Sequence, residues 1–232
     1  MQFRHSDEIW RDFPKLVPGV LYCSGITHDV STGARTEKFL AVAKSRLTEV
    51  PEGEMPEIQA WRRAFARMGL KPTQYRCASE SLLRRFRKDG TIPHLRPLVD
   101  LCDAVSLAFA IPVAVLDAAK ITGSLEVQYA AGDENYMTFS GDAEHPAAGE
   151  VIFADAAGRA HARRWTNRQS GISAVRDETS AVLIVAEALH DSASADITEL
   201  TAAIAAELTA TWSAAPAVAV LTRAAPHFTF GV

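Results

Sequence analysis

One segment of the sequence places carboxylates and a hydroxyl at regular spacing within an apolar stretch. Asp100, Asp103 and Ser106 lie three residues apart in Val99–Ser106, which puts them on one flank of a helix. Carboxylates in so apolar a segment need partners, because burying an unpaired charge is costly. Two interpretations stay open: caps and ion pairs with nearby arginines, or a ligand site. Cys102, on the apolar face, is typical of a small core residue rather than of an activated thiolate.

A second polar segment, His161–Ser170, is rich in arginine and amide side chains. Interpreted as a strand, it has two faces, with Arg163, Trp165 and Asn167 on one and Arg164, Thr166 and Arg168 on the other. Arg164 and Arg168 could then clamp a carboxylate or a phosphate, and Asn167 and Gln169 could bind an amino or amide group. The alternative is a solvated strand whose arginines pair with surface acids, but such pairs contribute little and do not require this pattern. We therefore favour a ligand site.

Basic residues are concentrated in one part of an acidic chain. The protein has 232 residues and a formal net charge of -4, yet only two acids, Glu80 and Asp89, lie between Arg62 and Arg96. The basic residues of this segment are Arg62, Arg63, Arg67, Lys71, Arg76, Arg84, Arg85, Arg87, Lys88 and Arg96. A local basic surface of this kind predicts a phosphate-binding face. A solvated helix surface that balances acids elsewhere is the alternative.

Several classes of enzyme are disfavoured by the motifs that the sequence lacks. It has no Gly-rich phosphate loop, no GxGxxG after a strand, no HExxH and no GxSxG. The seven histidines are scattered without ligand spacing. The three cysteines, Cys23, Cys77 and Cys102, form no CxxC pair and are expected to be reduced thiols. We therefore expect no metal and no cofactor.

Composition favours a globular protein of the cytoplasm. Hydrophobic residues make up 48% of the chain and charged residues 22%, which excludes a disordered or collagen-like chain. No apolar run reaches the roughly 20 residues that a membrane span needs. The segment Met1–Trp10 is polar and charged where a signal peptide would be apolar. We expect a cytoplasmic protein that binds neither a membrane nor DNA.

Helices are predicted where apolar residues recur every three to four positions. These segments are Thr36–Leu47, Ile58–Met68, Ser79–Gly90, Pro97–Phe109 and Asp196–Trp212. In the third of them, Ser79 is expected to cap the helix and Gly90 to end it. The helices would position both the basic residues and the Asp100–Ser106 segment.

Strands are predicted where the apolar pattern changes to period two. These segments are Pro112–Leu116, Leu125–Tyr129, Asn135–Phe139, Glu150–Ala154, His161–Asn167 and Thr179–Ala188. Phe13–Tyr22, with prolines at its edges, is expected to be an edge strand. Turn signals between the strands predict hairpins, and hence an α+β fold with a mostly antiparallel sheet flanked by helices. We expect a single domain over residues 1–232, with a helical basic part at about 35–111, a sheet part at about 112–190 and a C-terminal helix at about 195–213.

A series of short motifs, in order along most of the chain, resembles a known family. The motifs are Gly69–Arg76, Ser79–Glu80, Leu82–Arg85, Pro97–Leu107, Pro112–Asp117, Gly149–Val151 and Arg163–Gln169. Together they resemble the stand-alone B3/B4-domain proteins, which are similar to the B3/B4 editing module of the bacterial phenylalanyl-tRNA synthetase β subunit. The likeness covers about residues 10–215. Each motif alone is weak, and it is their order and spacing that carry the assignment.

The resemblance implies a B3/B4-like fold and a trans-editing hydrolase that deacylates mischarged aminoacyl-tRNA. In the synthetase, the module hydrolyses tRNA for phenylalanine that carries tyrosine, the general remedy when a synthetic site discriminates too little. An oriented water can attack the ester without a protein nucleophile. The expected partners are therefore a mischarged tRNA and, in the pocket, its amino acid moiety.

The sequence departs from the synthetase pattern at the expected pocket. Cys102-Asp103 replaces a Thr-Asn pair, and Ala114 replaces a histidine. The acidic residue of a Gly-Gly-Glu-His loop in the synthetase has no clear match near Arg168–Gly171. Asp103 in place of asparagine would favour a positive group such as an α-ammonium. Tyrosine specificity is therefore not transferred.

Roles can be predicted for the residues that match the resemblance. Asp103 and Asn167 would orient the water or the α-amino group, and Arg164 and Arg168 would lie near the ester or the terminal phosphate. The other residues expected to bind substrate are Asp100, Cys102, Ser106, Ala114 and Gln169. The residues expected to bind RNA are Arg62, Arg63, Arg67, Arg84, Arg85, Arg87 and Lys88.

Two other functions remain open from the sequence. The first is a non-catalytic tRNA- or RNA-binding module, which Ala114 favours because the synthetase has a histidine there. The second is an amino-acid-binding protein that no longer binds tRNA, which the basic segment disfavours. A hydrolase would cleave aminoacyl-tRNA with turnover, and an RNA-binding module would bind tRNA without cleaving it. An amino-acid-binding protein would not bind tRNA.

Overall fold

The chain forms two β-sheets with helices packed around them. The computed structural model describes residues 1–231. Within that range, the α-helices are α1 (Asp7–Asp12), α2 (Gly33–Glu49), α3 (Pro56–Arg67), α4 (Ala78–Asp89), α5 (Pro97–Phe109) and α6 (Ala193–Trp212). The strands are β1 (Gln2–His5), β2 (Val17–Ser24), β3 (Val113–Asp117), β4 (Ser124–Tyr129), β5 (Asn135–Met137), β6 (Ala143–Glu144), β7 (Val151–Asp155), β8 (Arg159–Arg163), β9 (Arg168–Gln169), β10 (Ala181–Ala188), β11 (Ala217–Val220) and β12 (His227–Thr229).

The strands divide between a larger and a smaller sheet. The larger has the order β12-β1-β4-β7-β8-β5-β6, with β9 paired to β8, and the smaller has the order β11-β2-β10-β3. All pairs of the smaller sheet are antiparallel. In the larger sheet, β1–β4 and β5–β8 are parallel. The predicted α+β class and its mostly antiparallel pairing are confirmed, but the strands form two sheets instead of one.

Each of the five predicted helices is present, because their apolar stripes face buried surroundings. On α6, Ile197, Leu200 and Ile204 pack into the same core cluster as Val182 and Ile184 of β10. The C-terminus of α4 is at Gly90, as predicted, and the φ of 72° at Gly90 is the left-handed conformation that glycine adopts readily. The helix starts one residue before the predicted Ser79, with Cys77 at the N-cap position.

Two strand predictions are wrong. β2 was expected at a sheet edge, but it lies between β11 and β10, because the segment Ala217–Val220 near the C-terminus pairs with it. The segment His161–Asn167 was expected to be one strand, but β8 ends at Arg163 and residues 164–167 form a turn. The alternation of side chains predicted for that segment therefore does not exist.

The C-terminal segment joins the two sheets. β11 pairs with β2 of the smaller sheet, and β12 pairs with β1 of the larger one. The N-terminal ammonium of Met1 donates a hydrogen bond of 2.8 Å to the carbonyl of Phe230. Within residues 1–231, no helix is long and apolar enough to cross a membrane.

Close packing between β2 and α6 predicts a large effect of one methyl group. A Cβ at Gly19 would lie 2.5 Å from Cγ2 of Thr201 and 2.7 Å from Cγ2 of Ile197. We expect Gly19→Ala to reduce the free energy of unfolding by about 1–3 kcal/mol through overpacking. Gly33→Ala is the matched control, because a Cβ there meets nothing within 4 Å. Thermal unfolding measures both, and equal stability of the two variants would contradict the packing argument.

Candidate functional site

A tight turn between β8 and β9 carries several of the predicted site residues. Arg164 and Trp165 both have positive φ, 47° and 57°, a conformation that is costly for residues other than glycine. The buried ring of Trp165 fixes this turn by edge contacts with Trp61 and Phe13, at centroid distances of 5.0 and 4.7 Å. The Trp165 amide also donates to the carbonyl of Val151 at 2.7 Å. Tertiary packing therefore supports the strained backbone.

The same turn is joined to the N-terminus of α4. The Ala78 amide donates to the carbonyl of Thr166 at 2.8 Å, and Asn167 Nδ2 donates to the carbonyl of Arg76 at 2.7 Å. These two hydrogen bonds place the first residue of α4, the helix that carries Arg84, Arg85, Arg87 and Lys88, beside the turn. The basic segment and the second polar segment of the sequence thus meet in the structure.

A narrow, mostly apolar cavity lies under this turn. This inner cavity has a volume of about 60 Å³ and is lined by residues that include Ala114, Trp165, Asn167, Arg168, Gln169 and Glu187. Ala114 offers it only a methyl group. Glu187 supplies a carboxylate.

Glu187 is a buried carboxylate, 1% exposed, that sequence reasoning did not identify. Its Oε1 lies 2.6 Å from Nε2 of His5 and accepts a hydrogen bond of 2.9 Å from Nε1 of Trp165. Both partners use Oε1, and Glu187 also lines the inner cavity. A signal existed in the sequence, because Glu187 is the one charged residue in the otherwise apolar strand β10. His5 gave no comparable signal, since it lies 182 residues away.

A wider cavity adjoins the first. This outer cavity has a volume of about 350 Å³ and is lined by residues that include Arg96, Val99, Asp103, Val115, Gln169 and Arg176. Val113 and Gln169 line both cavities, so the two spaces are neighbours. A volume of this size is at the lower end of the range of small-molecule pockets.

Asp103 is the acidic group of the outer cavity. It has no hydrogen bond or ion pair with other side chains or backbone groups of residues 1–231. Burial raises the pKa of Asp103 to about 7, and the nearby Asp100 carboxylate adds to the rise. A carboxyl group that titrates near neutral pH can both accept and donate a proton under physiological conditions. Such a group in a cavity is typical of functional sites.

Two arginines lie at the same cavity. Nε of Arg96 pairs with Oδ1 of Asp177 at 2.8 Å. Arg176 is exposed and, over the described range 1–231, has no ion pair. The outer cavity therefore combines a carboxyl group with a guanidinium that is available to an anionic ligand.

Comparisons with known proteins decide the family. The model of the B3/4 domain family matches residues 60–207. The chain belongs to the B3/4 domain family. No curated protein matches it. An N-terminal fragment of the phenylalanyl-tRNA synthetase β subunit from Pyrococcus horikoshii is similar in structure, with a TM-score of 0.49 and 8% sequence identity. The match covers 95% of this chain and 54% of that fragment, so this chain spans about half the length of its structural relative.

Some predicted substrate-binding residues of the B3/4 domain are not at either cavity. Cys102 is buried in the core, and burial raises the pKa of its thiol. Ser106 is 1% exposed, and its hydroxyl donates to the carbonyl of Ile111 at 2.6 Å. The Asp100 carboxylate accepts from the amides of Leu95 and Arg96 at the start of α5, at 2.8 and 3.2 Å. The bonds of Asp100 to amides at the start of α5 are of the kind that the capping interpretation describes.

The predicted clamp of Arg164 and Arg168 has a different geometry from the one expected. The guanidinium of Arg164 lies over the ring of Tyr75 at 4.9 Å. The guanidinium of Arg168 lies over Tyr136 at 5.4 Å and pairs with Glu144 at 3.1 Å. Arg168 lines the inner cavity, whereas Arg164 lines neither the inner nor the outer cavity. The strand face that would have aligned them is absent, because the chain turns after Arg163.

Several predicted RNA-binding arginines are partners of buried acids. Arg62 pairs with Glu80 at 2.7 Å, and Arg84 and Arg87 pair with Glu52 at 3.2 and 2.9 Å. Glu80 is 0% exposed and Glu52 2%. Arg76 also pairs with Glu80, at 3.3 Å, whereas Glu52 pairs only with Arg84 and Arg87 within residues 1–231. Loss of such partners leaves a buried carboxylate less compensated, which is unfavourable. These three basic residues therefore contribute to folding.

The remaining basic residues are more available to a ligand. Within residues 1–231, Arg85 forms one ion pair, with the exposed Asp89 at 3.6 Å, a weak surface contact. Arg63 and Lys88 are exposed and form no ion pair within residues 1–231. The Arg67 guanidinium lies over the ring of Phe13 at 5.5 Å. Fewer basic residues of the B3/4 domain are therefore available to a ligand than the number of charges in the segment indicates.

The raised pKa of Asp103 predicts a specific dependence of stability on pH. Between pH 4 and 7, the folded protein holds a proton on Asp103 that the unfolded chain releases, so stability falls as pH rises through this range. We expect Asp103→Asn to stabilise the protein by roughly 1–3 kcal/mol at pH 8 and by much less at pH 4. Chemical denaturation at both pH values measures the difference. Asp133→Asn, at an exposed position, is the control, and an equal effect of Asp103→Asn at both pH values would contradict this expectation.

Proposed function

We propose that this B3/4 domain is a trans-editing hydrolase that removes the amino acid from a mischarged aminoacyl-tRNA. The observation that carries the proposal is the Asp103 carboxyl group, which lines the outer cavity without a protein partner and has a pKa near 7. Membership of the B3/4 domain family supports it, because the resemblance to the synthetase editing module implies ester hydrolysis. The available basic residues support binding of an RNA substrate.

Asp103 would act as the general base. It would accept a proton from a water molecule while the water oxygen bonds to the ester carbonyl carbon, giving a tetrahedral oxyanion. Collapse of the oxyanion breaks the bond to the ribose oxygen, which takes the proton back from Asp103. The products are the free amino acid and the uncharged tRNA. One proton of the water thus passes through Asp103 to the ribose oxygen, and the other stays on the new carboxyl group, which ionises in solution.

Arg176 is suited to stabilise the charge that develops on the carbonyl oxygen. Its guanidinium lines the same cavity as Asp103 and has no competing ion pair within residues 1–231. A guanidinium close to a developing oxyanion stabilises the transition state electrostatically. The side-chain amide of Gln169, which lines both cavities, donates a 2.8 Å hydrogen bond to the carbonyl of Val115. This bond fixes a polar group where the two cavities adjoin.

The basic side chains of α4 would bind the rest of the RNA substrate. α4 begins at Ala78, which lines the inner cavity, and runs for 12 residues, a length of about 18 Å. Arg85 and Lys88 lie toward its far end. With the esterified end of the RNA in the cavities, these side chains would contact phosphates of the acceptor stem. Asn167 would hold the start of α4 in place through its bond to Arg76, instead of orienting water.

The first experiment is deacylation of a panel of cognate and mischarged aminoacyl-tRNAs by the purified protein. We expect selective hydrolysis of a mischarged species, with kcat/KM rising with pH around an apparent pKa near 7. Asp103→Asn should lower kcat/KM by about 10²–10⁴ and abolish this pH dependence. Asp133→Asn is the control for surface charge, and a no-enzyme reaction controls for spontaneous hydrolysis. A full rate in Asp103→Asn would contradict the role of Asp103.

The proposed RNA contacts of α4 make a separate prediction about binding. We expect the double variant Arg85→Glu, Lys88→Glu to weaken tRNA binding at least tenfold and to reduce the dependence of log K on log[salt], because each lost phosphate contact removes about 0.9 from the slope. Lys120→Glu, which lies outside α4 and is exposed, is the control. Filter binding at several salt concentrations measures both. Unchanged affinity of the double variant would show that the face is merely solvated.

The deacylation and binding experiments together also distinguish the other two functions. Salt-dependent binding of tRNA without turnover would favour a non-catalytic RNA-binding module. Binding of free amino acids with no affinity for tRNA would favour an amino-acid-binding protein.

A further inference from the structure

A buried cluster of one histidine and two carboxylates lies where three elements meet. Glu57 is in the first turn of α3, His190 follows β10, and Asp196 is in the first turn of α6. Potential ligand atoms of the three side chains all lie within 4.8 Å of one another. None of the three residues lines the inner or the outer cavity. The cluster is therefore separate from the proposed hydrolytic site.

Two polar atoms of this cluster are buried without a partner. Oε2 of Glu57 and Nδ1 of His190 make no hydrogen bond within residues 1–231, although Glu57 is only 8% exposed and His190 only 5%. Their other polar atoms are engaged, because Arg46 donates to Oε1 of Glu57 at 2.7 Å and Nε2 of His190 lies 2.6 Å from Oδ2 of Asp196. A buried carboxylate oxygen with no donor is costly unless a ligand compensates it.

We propose that Glu57, His190 and Asp196 bind one divalent transition-metal cation, with Zn²⁺ as the best match. An imidazole nitrogen and carboxylate oxygens are ligands that zinc prefers, and three protein ligands leave a fourth position for water. Ligand atoms around tetrahedral zinc lie about 3.3 Å apart, given bonds of about 2.0–2.1 Å. Nε2 of His190 and Oδ2 of Asp196 are 2.6 Å apart, and a ligand atom of Glu57 lies within 4.8 Å of ligand atoms of both residues. Metal binding would therefore require side-chain rotations in this cluster.

Charge and access are compatible with a cation at this place. Two carboxylates face the single positive charge of Arg46, so the cluster has an excess of negative charge when the imidazole is neutral. The Asp196 side chain is 30% exposed, which gives an ion a route from solvent. The hydroxyl of Ser192 donates to Oδ2 of Asp196 at 2.7 Å and orients this carboxylate, as outer partners of metal ligands commonly do.

The test uses the full chain without an affinity tag, after treatment with a chelator. Calorimetric titration with Zn²⁺ should show one ion per chain, and zinc should raise the thermal unfolding midpoint. Glu57→Gln is the decisive variant, because its amide oxygen can still accept the hydrogen bond from Arg46 but has lost the ligand charge. It should bind zinc at least tenfold more weakly and lose the zinc-dependent shift of the midpoint.

His161→Gln is the matched control for a buried histidine. Nε2 of His161 lies 3.2 Å from Oδ2 of Asp155, a comparable pair that does not belong to the three-ligand cluster. This variant should keep the zinc-dependent shift even if its stability without zinc is lower. Three outcomes would overturn the proposal: no stoichiometric zinc binding, equal affinity in Glu57→Gln and the unaltered protein, or equal loss in His161→Gln.

Discussion

The Glu187 residue is the acceptor at which four parts of the fold meet. Its backbone carbonyl accepts a 3.2 Å hydrogen bond from the indole of Trp61 in α3. Its carboxylate accepts one from Trp165 in the turn and lies against His5 of β1. Buried indole N–H groups require hydrogen-bond acceptors, and a buried carboxylate requires donors. Glu187 supplies the acceptors for both indoles, and its carboxylate receives a donor in return. Because β1 and β10 belong to different sheets, this polar contact also fixes how the sheets lie around the inner cavity.

Local pattern in the sequence predicted much of the fold. The helices were predictable because a 3.6-residue repeat depends only on which side of one element is apolar. Pairing of strands was not, since period two states which side chains share a face but not which strand is the neighbour. β2 shows the difference: its proline, Pro18, is typical of an edge strand, yet the distant β11 pairs with β2. The turn at Trp165 was also hidden, because burial of the ring offsets a backbone conformation that local propensity disfavours.

The candidate site was predictable in part for a similar reason. Asp103 stood out as a carboxylate in an apolar helix, and the structure places it in a cavity. The arginines were harder to interpret, because a count of charges cannot separate residues that meet solvent from those that compensate Glu52 and Glu80 inside the fold. The cluster of Glu57, His190 and Asp196 joins residues from distant parts of the chain. Motif spacing therefore could not indicate it.

Burial of the three cysteines has a practical consequence for spectroscopy. Cys23, Cys77 and Cys102 are free and buried, and burial raises the pKa of each thiol, that of Cys77 to about 11. Because alkylating and disulfide-forming reagents attack the thiolate, the natural thiols are protected while the fold is intact. A single cysteine introduced on the surface would therefore take a fluorophore or spin label selectively. The natural sequence is already suited to distance measurements, with no background thiols to remove.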